Sequence, residues 1–202
     1  LYFISPNIST IQPSVPTPIY IADLCEPGSR CDYNGKEGEQ ICVIINSSGF
    51  KNIVNSDDGG AIRIMNAGII CQEMSFDDCQ SKEGGGGALY IDSSHIVDIE
   101  KVDFVNCKAN FGGGIYVYST SNDERVKIIE CSFTSCQSLS DASNASTGGS
   151  AIYITSRMSI ITDCKFINNL ESQVKIYNSC VRQNGAILEH RKQPRNDVLF
   201  ER

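Results

Sequence analysis

Two short motifs alternate four times along this chain, and a chain that repeats itself folds into units that repeat. The first motif is Phe-x-x-Cys/Asn, seen in Phe76-Asp77-Asp78-Cys79, Phe104-Val105-Asn106-Cys107, Phe133-Thr134-Ser135-Cys136 and Phe166-Ile167-Asn168-Asn169, with a weaker first copy in Phe50-Lys51-Asn52-Ile53. The five phenylalanines are separated by 26, 28, 29 and 33 residues. The second motif falls between them, as Gly59-Gly60-Ala61-Ile62-Arg63-Ile64, Gly86-Gly87-Ala88-Leu89-Tyr90-Ile91, Gly112-Gly113-Gly114-Ile115-Tyr116-Val117 and Gly149-Ser150-Ala151-Ile152-Tyr153-Ile154.

The period inside each unit sets the architecture. Apolar residues alternate at Ile62/Ile64, Leu89/Ile91, Ile115/Val117 and Ile152/Ile154, the period of two expected of half-buried strands. A leucine-rich horseshoe needs a leucine-dominated template and helical repeats need a 3.6-residue period; the chain shows neither. A unit of this length with two or three short strands fits one turn of a parallel β-helix, whose successive coils pair in register about 4.8 Å apart. The expected fold is therefore all-β, with about five coils. In-register stacking predicts an interior column of Phe50, Phe76, Phe104, Phe133 and Phe166. A second column holds Cys79, Cys107 and Cys136 and closes on Asn169; a third holds Met74, Val102, Cys131 and Cys164. Cysteine alternating with Met and Val reads as a small hydrophobe. The glycine pairs mark corners needing positive φ or close backbone approach.

Departures from the period suggest boundaries. Residues 1–24, with Pro6, Pro13, Pro16 and Pro18, read as an extended linker, and residues 25–180 as the β-helix. An N-terminal cap is expected within about residues 19–45, because an uncovered stack invites edge pairing. Residues 137–147 read as an excursion out of the coil, and residues 181–202 as a tail or the start of a further coil. The chain begins Leu1-Tyr2-Phe3 without a basic segment ahead of an apolar run, so no signal peptide is read in it, and it is expected to be a portion of a longer protein.

A net charge of −7 argues against nucleic-acid binding, which calls for a basic face; the one basic cluster, residues 190–195, reads as a solvated tail. No apolar run approaches the roughly 20 residues of a spanning helix. Ten cysteines are many for a cytosolic protein, and Asn-x-Ser sequons occur at Asn7, Asn46 and Asn144, all in stretches that read as loop. Together these favour a secretory route, with the protein at the cell surface or secreted.

The two motifs resemble the repeats of the chlamydial polymorphic membrane proteins, Phe-x-x-Asn and Gly-Gly-Ala-(Ile/Leu/Val), and similar repeats of trichomonad surface proteins. The matches are Phe166-Ile167-Asn168-Asn169, Gly59-Gly60-Ala61-Ile62 and Gly86-Gly87-Ala88-Leu89, within roughly residues 45–170. The resemblance implies a right-handed, pectin-lyase-like β-helix and an adhesin or surface role, without a defined ligand. Cysteine replaces asparagine at Cys79, Cys107 and Cys136. That departure, with the sequons, points to a protist-like surface protein rather than a bacterial autotransporter.

Parallel β-helices also host polysaccharide lyases and hydrolases, whose chemistry needs converging carboxylates. The acid pairs are Asp57-Asp58 and Asp77-Asp78. Neither comes with the Gly-His-Gly and Arg-x-Lys of polygalacturonase-like enzymes, and both read as corner or surface residues. His95 falls in a polar turn and His190 in the basic tail, with no nucleophile or metal spacing beside them. No Cys-x-x-Cys pair exists, so no metal or other cofactor is expected. Cys25–Cys31 is the first candidate for a disulfide in the cap.

With Ile62 and Ile64 inward, the residues between the apolar positions point outward, giving a column Arg63, Tyr90, Tyr116, Tyr153. Such a stripe is a candidate surface for a host or cell-surface glycan or protein. Plain cross-strand stabilisation would produce the same stripe. Three functions are compatible with these features: a non-catalytic adhesin-like scaffold, a carbohydrate-active β-helix enzyme, or a structural spacer. The repeats, acidity, cysteines, sequons and missing active-site constellation together favour the first, and the tyrosine stripe is what separates it from a spacer.

Overall fold

A computed structural model of the chain describes residues 17–20, 28–36, 41–46, 49–92, 96–119, 125–139, 148–169, 174–177, 180–184, 187–189 and 198–201. Among these residues there are strands and corners but no helix. The strands form an eleven-stranded, a seven-stranded and a four-stranded sheet, every strand pair parallel, and from Gly49 to Ile167 the chain visits the three sheets in rotation. This is a β-solenoid; between its first and last visits to the four-stranded sheet, at Val54–Asn55 and Gln137–Ser138, the chain makes about three turns.

The predicted columns are present. Phe50 pairs with Phe76, Phe76 with Phe104, Phe104 with Phe133 and Phe133 with Phe166. Their rings stack at 5.4, 5.2, 4.7 and 5.2 Å, and all but Phe50 are fully buried. Burying each such ring contributes roughly 2–3 kcal/mol, and each aromatic pair roughly 0.5–1.5 kcal/mol more. The alternation on the Gly-Gly-Ala strands puts Ile62, Leu89, Ile115 and Ile152 into the core beside Ile64, Ile91, Val117 and Ile154.

Each turn bends at three corners, and two of them use the left-handed backbone without glycine. Two residues after each phenylalanine, Asn52, Asp78, Asn106, Ser135 and Asn168 have φ of 52–58°. Three residues before it, Glu73, Lys101, Glu130 and Asp163 lie at 52–55°. The third corner uses glycine for the two reasons anticipated. Gly86 has φ 66°, and a Cβ on Gly87 would sit 2.1 Å from the Gly113 carbonyl oxygen of the next turn.

Parallel pairing also reaches into the stretches expected as linker, cap and tail. Thr17–Tyr20 pairs with Ile41–Ile44, and Cys31–Asn34 pairs with Ile62–Met65. At the other end Cys180–Asn184 pairs with Met158–Thr162, and Val198–Glu201 with Val174–Tyr177.

Candidate functional site

The outer face of the seven-stranded sheet carries two side-chain columns, because successive strand residues alternate between core and surface. In the first, Arg63, Tyr90, Tyr116 and Tyr153 stand in register, as expected, between Asp32 and Lys175. The rings of Tyr90 and Tyr116 stack at 5.0 Å and 2°, and those of Tyr116 and Tyr153 at 5.1 Å and 11°. All three are half-buried. The second column, Met65, Asp92, Tyr118 and Thr155, is not singled out by the motifs, though the period that locates Tyr116 places Tyr118 on the same side. Tyr118 is among the exposed large side chains.

A wall stands beside the ladder. Phe111 packs edge-on against Tyr116 and Tyr153, with centroids 6.3 and 5.8 Å away. It bridges in register to Gly85 on one side and Gly148 on the other, so one large ring occupies a position that is glycine in the adjacent turns. Sequence reasoning misses Phe111 because it stands just outside both motifs.

At the Arg63 end, charge is closed into a network. Asp57 accepts from Arg30 and, at 3.0 Å, from Arg63, while Asp32 takes Arg30 at 2.9 Å and Arg63 at 3.7 Å. The Arg30 hydrogen bond holds the Asp57 carboxyl below the usual carboxylate range. Asp58 instead accepts the Gly85 backbone N–H at 2.8 Å. Burial, and then the charge of Asp58, raise the Asp92 carboxyl. Burial followed by neighbouring groups pushes Tyr116 up to about 12, and Tyr90 is raised as well. These phenols stay neutral at physiological pH.

The remaining expectations have definite places. Asp77 pairs with Lys51 at 2.7 Å, and Asp78 occupies a left-handed corner. Asp57 and Asp77 are thus ion-paired, Asp58 accepts a backbone N–H, and Asp78 shapes a corner. Cys31 is buried and disulfide-bonded, while Cys25, its expected partner, lies outside the described residues. Asn46 is not in a loop: it ends the strand Ile41–Asn46 and pairs in register with Gln72, because the ladder continues to that residue. Asn7, Asn144, His95 and His190 lie outside the described residues. Among the described residues no three His, Cys, Asp or Glu side chains gather in a way that would hold a metal ion. No helix among them is long and apolar enough to cross a membrane.

Cys79, Cys107 and Cys136 are buried free thiols, in the predicted column. They are more than small hydrophobes. The Cys107 sulfur lies 3.7 Å from the Phe76 carbonyl oxygen of the preceding turn and accepts the Cys79 backbone N–H. Cys79 stands in the same relation to the Phe50 carbonyl oxygen, at 3.6 Å, and to the Ile53 N–H. Asn169 makes the same two contacts with a carboxamide: Nδ2 donates to the Phe133 oxygen at 2.9 Å and Oδ1 accepts the Cys136 N–H at 2.7 Å. The other thiol column repeats the arrangement, with Cys164 facing the Ile128 oxygen at 3.5 Å and accepting the Cys131 N–H.

Comparison of the chain with protein-family models, with characterised proteins and with solved structures yields no match in any of the three.

Proposed function

We propose that the chain is a non-catalytic, adhesin-like scaffold at the cell surface or in secretion, which binds a host or cell-surface glycan or protein through the tyrosine-bearing face. In this reading it is a right-handed, pectin-lyase-like β-helix of about five coils, kin in design to the chlamydial polymorphic membrane protein repeats and of protist type. The observation that carries it is the ladder Tyr90–Tyr116–Tyr153. Its half-buried rings stand on the outer face of a regular sheet, next to the exposed Tyr118. Aromatic side chains give large contact area at modest entropic cost, and the core does not need these rings outside it.

The test is adhesion of the purified chain to immobilised cell-surface glycans and proteins, with Tyr90→Ser, Tyr116→Ser and Tyr153→Ser combined. Adhesion should disappear in the variant while circular dichroism and a cooperative melt show that it remains folded. Undiminished adhesion would sink the proposal. A spacer role is favoured by one specific observation, that the rings stack on one another and so stabilise the sheet without any ligand. A folded wild-type chain that adheres to nothing would leave the spacer standing.

A further inference from the structure

The geometry of this face selects among the possible partners, and the choice it makes rests on the adhesin-like reading. Both faces of the Tyr116 ring are covered, one by Tyr90 and one by Tyr153, each parallel to it within 11°. The ladder continues in register to Arg63 beyond Tyr90 and to the buried Lys175 beyond Tyr153. A pyranose laid on an aromatic side chain needs an open ring face, because the negative π-face is what attracts its C–H groups. Stacked along the solenoid, these tyrosines offer outward edges instead, which disfavours the stacking mode of sugar binding.

The charges next to the ladder narrow the choice further. Arg30, Arg63, Asp32 and Asp57 satisfy one another. Asp58 and Asp92 have no ion-pair partner among the described residues. Asp58 is held on one flank: its carboxylate takes the Gly85 N–H, and a Cβ on Gly85 would lie 2.8 Å from the Tyr116 ring. Asp92 is on the other flank, in the second column, paired in register with Tyr118. Both carboxylates act electrostatically on Tyr90 and Tyr116. The aromatic face is thus negative at this end, where both arginines are already engaged.

We infer that the face docks a protein segment bearing lysine or arginine, its cation between Asp58 and Asp92 and its backbone along the outward edges of Tyr90, Tyr116 and Tyr118. Complementary charge sets the choice and orientation of such a partner more than its affinity, so the interaction should weaken steeply with salt.

The experiment measures binding of oligolysine, oligoglutamate and a panel of neutral oligosaccharides to the whole chain, by calorimetry. Asp58→Asn combined with Asp92→Asn is the diagnostic variant, since a carboxamide at position 58 keeps an oxygen for the Gly85 N–H. Asp103→Asn, on the eleven-stranded sheet, controls for diffuse attraction by an acidic protein. Oligolysine should bind the wild type and the Asp103→Asn protein alike and bind the double variant at least roughly tenfold more weakly; oligoglutamate should bind none of them. Equal oligolysine binding by the double variant, or an equal loss in Asp103→Asn, overturns the inference. So does a neutral oligosaccharide that binds in a tyrosine-dependent way, although that result would leave the adhesin proposal intact. Failure of every probe and of the adhesion assay together would remove both.

Discussion

If the column cysteines replace asparagine as makers of backbone hydrogen bonds, Cys107 should tolerate asparagine better than alanine. Cys107 is fully buried, its sulfur accepts the Cys79 N–H, and its thiol lies 3.7 Å from the Phe76 oxygen and 3.4 Å from the Val105 oxygen. Cys107→Ala removes the sulfur and leaves the Cys79 N–H without that acceptor in a dry interior. The lost apolar volume costs about 1 kcal/mol and the stranded donor about 1–2 kcal/mol, so about 2–3 kcal/mol in all. Cys107→Asn supplies the two groups that Asn169 uses two turns on, at 2.9 and 2.7 Å. It should stay within about 1 kcal/mol of the wild type, the residual cost being the larger side chain. In a chain of this size about 2 kcal/mol corresponds to roughly 4–8 °C of melting temperature. Urea denaturation of both variants, followed by circular dichroism, gives the ranking. The opposite order would refute the reasoning, because a buried carboxamide is tolerated only when its hydrogen bonds are made, whereas a purely packing thiol is replaced most gently by another apolar group.

Three further outcomes can be measured in the same way. Gly87→Ala should cost at least about 2–3 kcal/mol or prevent folding, since its Cβ would meet the Gly113 oxygen at 2.1 Å and the Lys108 backbone at 2.6 Å; a wild-type urea midpoint would contradict the close approach. Three of the buried thiols, Cys71, Cys79 and Cys107, favour an alkaline limb. Burial raises Cys71, and thiol contact together with burial raises Cys79 and Cys107, so their stabilisation is complete below the unfolded thiol value of about 8.5 and is lost as pH rises above it. Urea midpoints should therefore fall between pH 8 and 10 (roughly the window of unfolded-state thiol ionisation), and less so in Cys71→Ala. Asp57 gives the opposite limb: its carboxyl is lowered chiefly by the Arg30 hydrogen bond, so its contribution is present above about pH 4 and lost as pH falls through the folded value. Asp57→Asn should flatten the acid side of the stability profile, modestly because the group is exposed, and an unchanged profile would show that the Arg30–Asp57–Arg63 network carries no stability.

The features legible in the sequence are those that in-register stacking forces to recur. Phe50 to Phe166, Cys79 to Cys136, the glycine corners and the tyrosine ladder each repeat because each residue's nearest neighbour in space is its counterpart one turn away. Legibility fails where the backbone, rather than the side chain, is what repeats. The left-handed corner at Asn52, Asp78, Asn106, Ser135 and Asn168 mostly holds residues that accept positive φ. The corner at Glu73, Lys101, Glu130 and Asp163 is carried largely by residues with no such preference, and nothing in their identity announces it. Phe111 and Asp92 are illegible for a related reason: each appears once in its column, between residues of other kinds. Thr17–Tyr20 is hidden by the prolines around it, which read as linker although Pro18 itself takes a place in the ladder opposite Cys42.

The thiol columns change how the ten cysteines bear on where the protein works. Cys71, Cys79, Cys107, Cys131, Cys136 and Cys164 are free and buried, and five of them stand at corners where the sulfur answers a backbone N–H or carbonyl of the turn before. Their number is thus set by how many turns the solenoid has, and so says little about the redox potential around it. Reactivity needs thiolate and access, and these side chains lack exposure, so the folded solenoid protects them in an oxidising compartment as well as in a reducing one. The number of cysteines therefore carries no argument for a secretory route. Within this chain cysteine and asparagine do the same work at that corner, because thiol and carboxamide each approach the phenylalanine carbonyl of the preceding turn and accept a corner N–H. A repeat of this kind can exchange Asn for Cys turn by turn while keeping its fold, which makes the corner chemistry, rather than the residue name, the signature to look for in other chains.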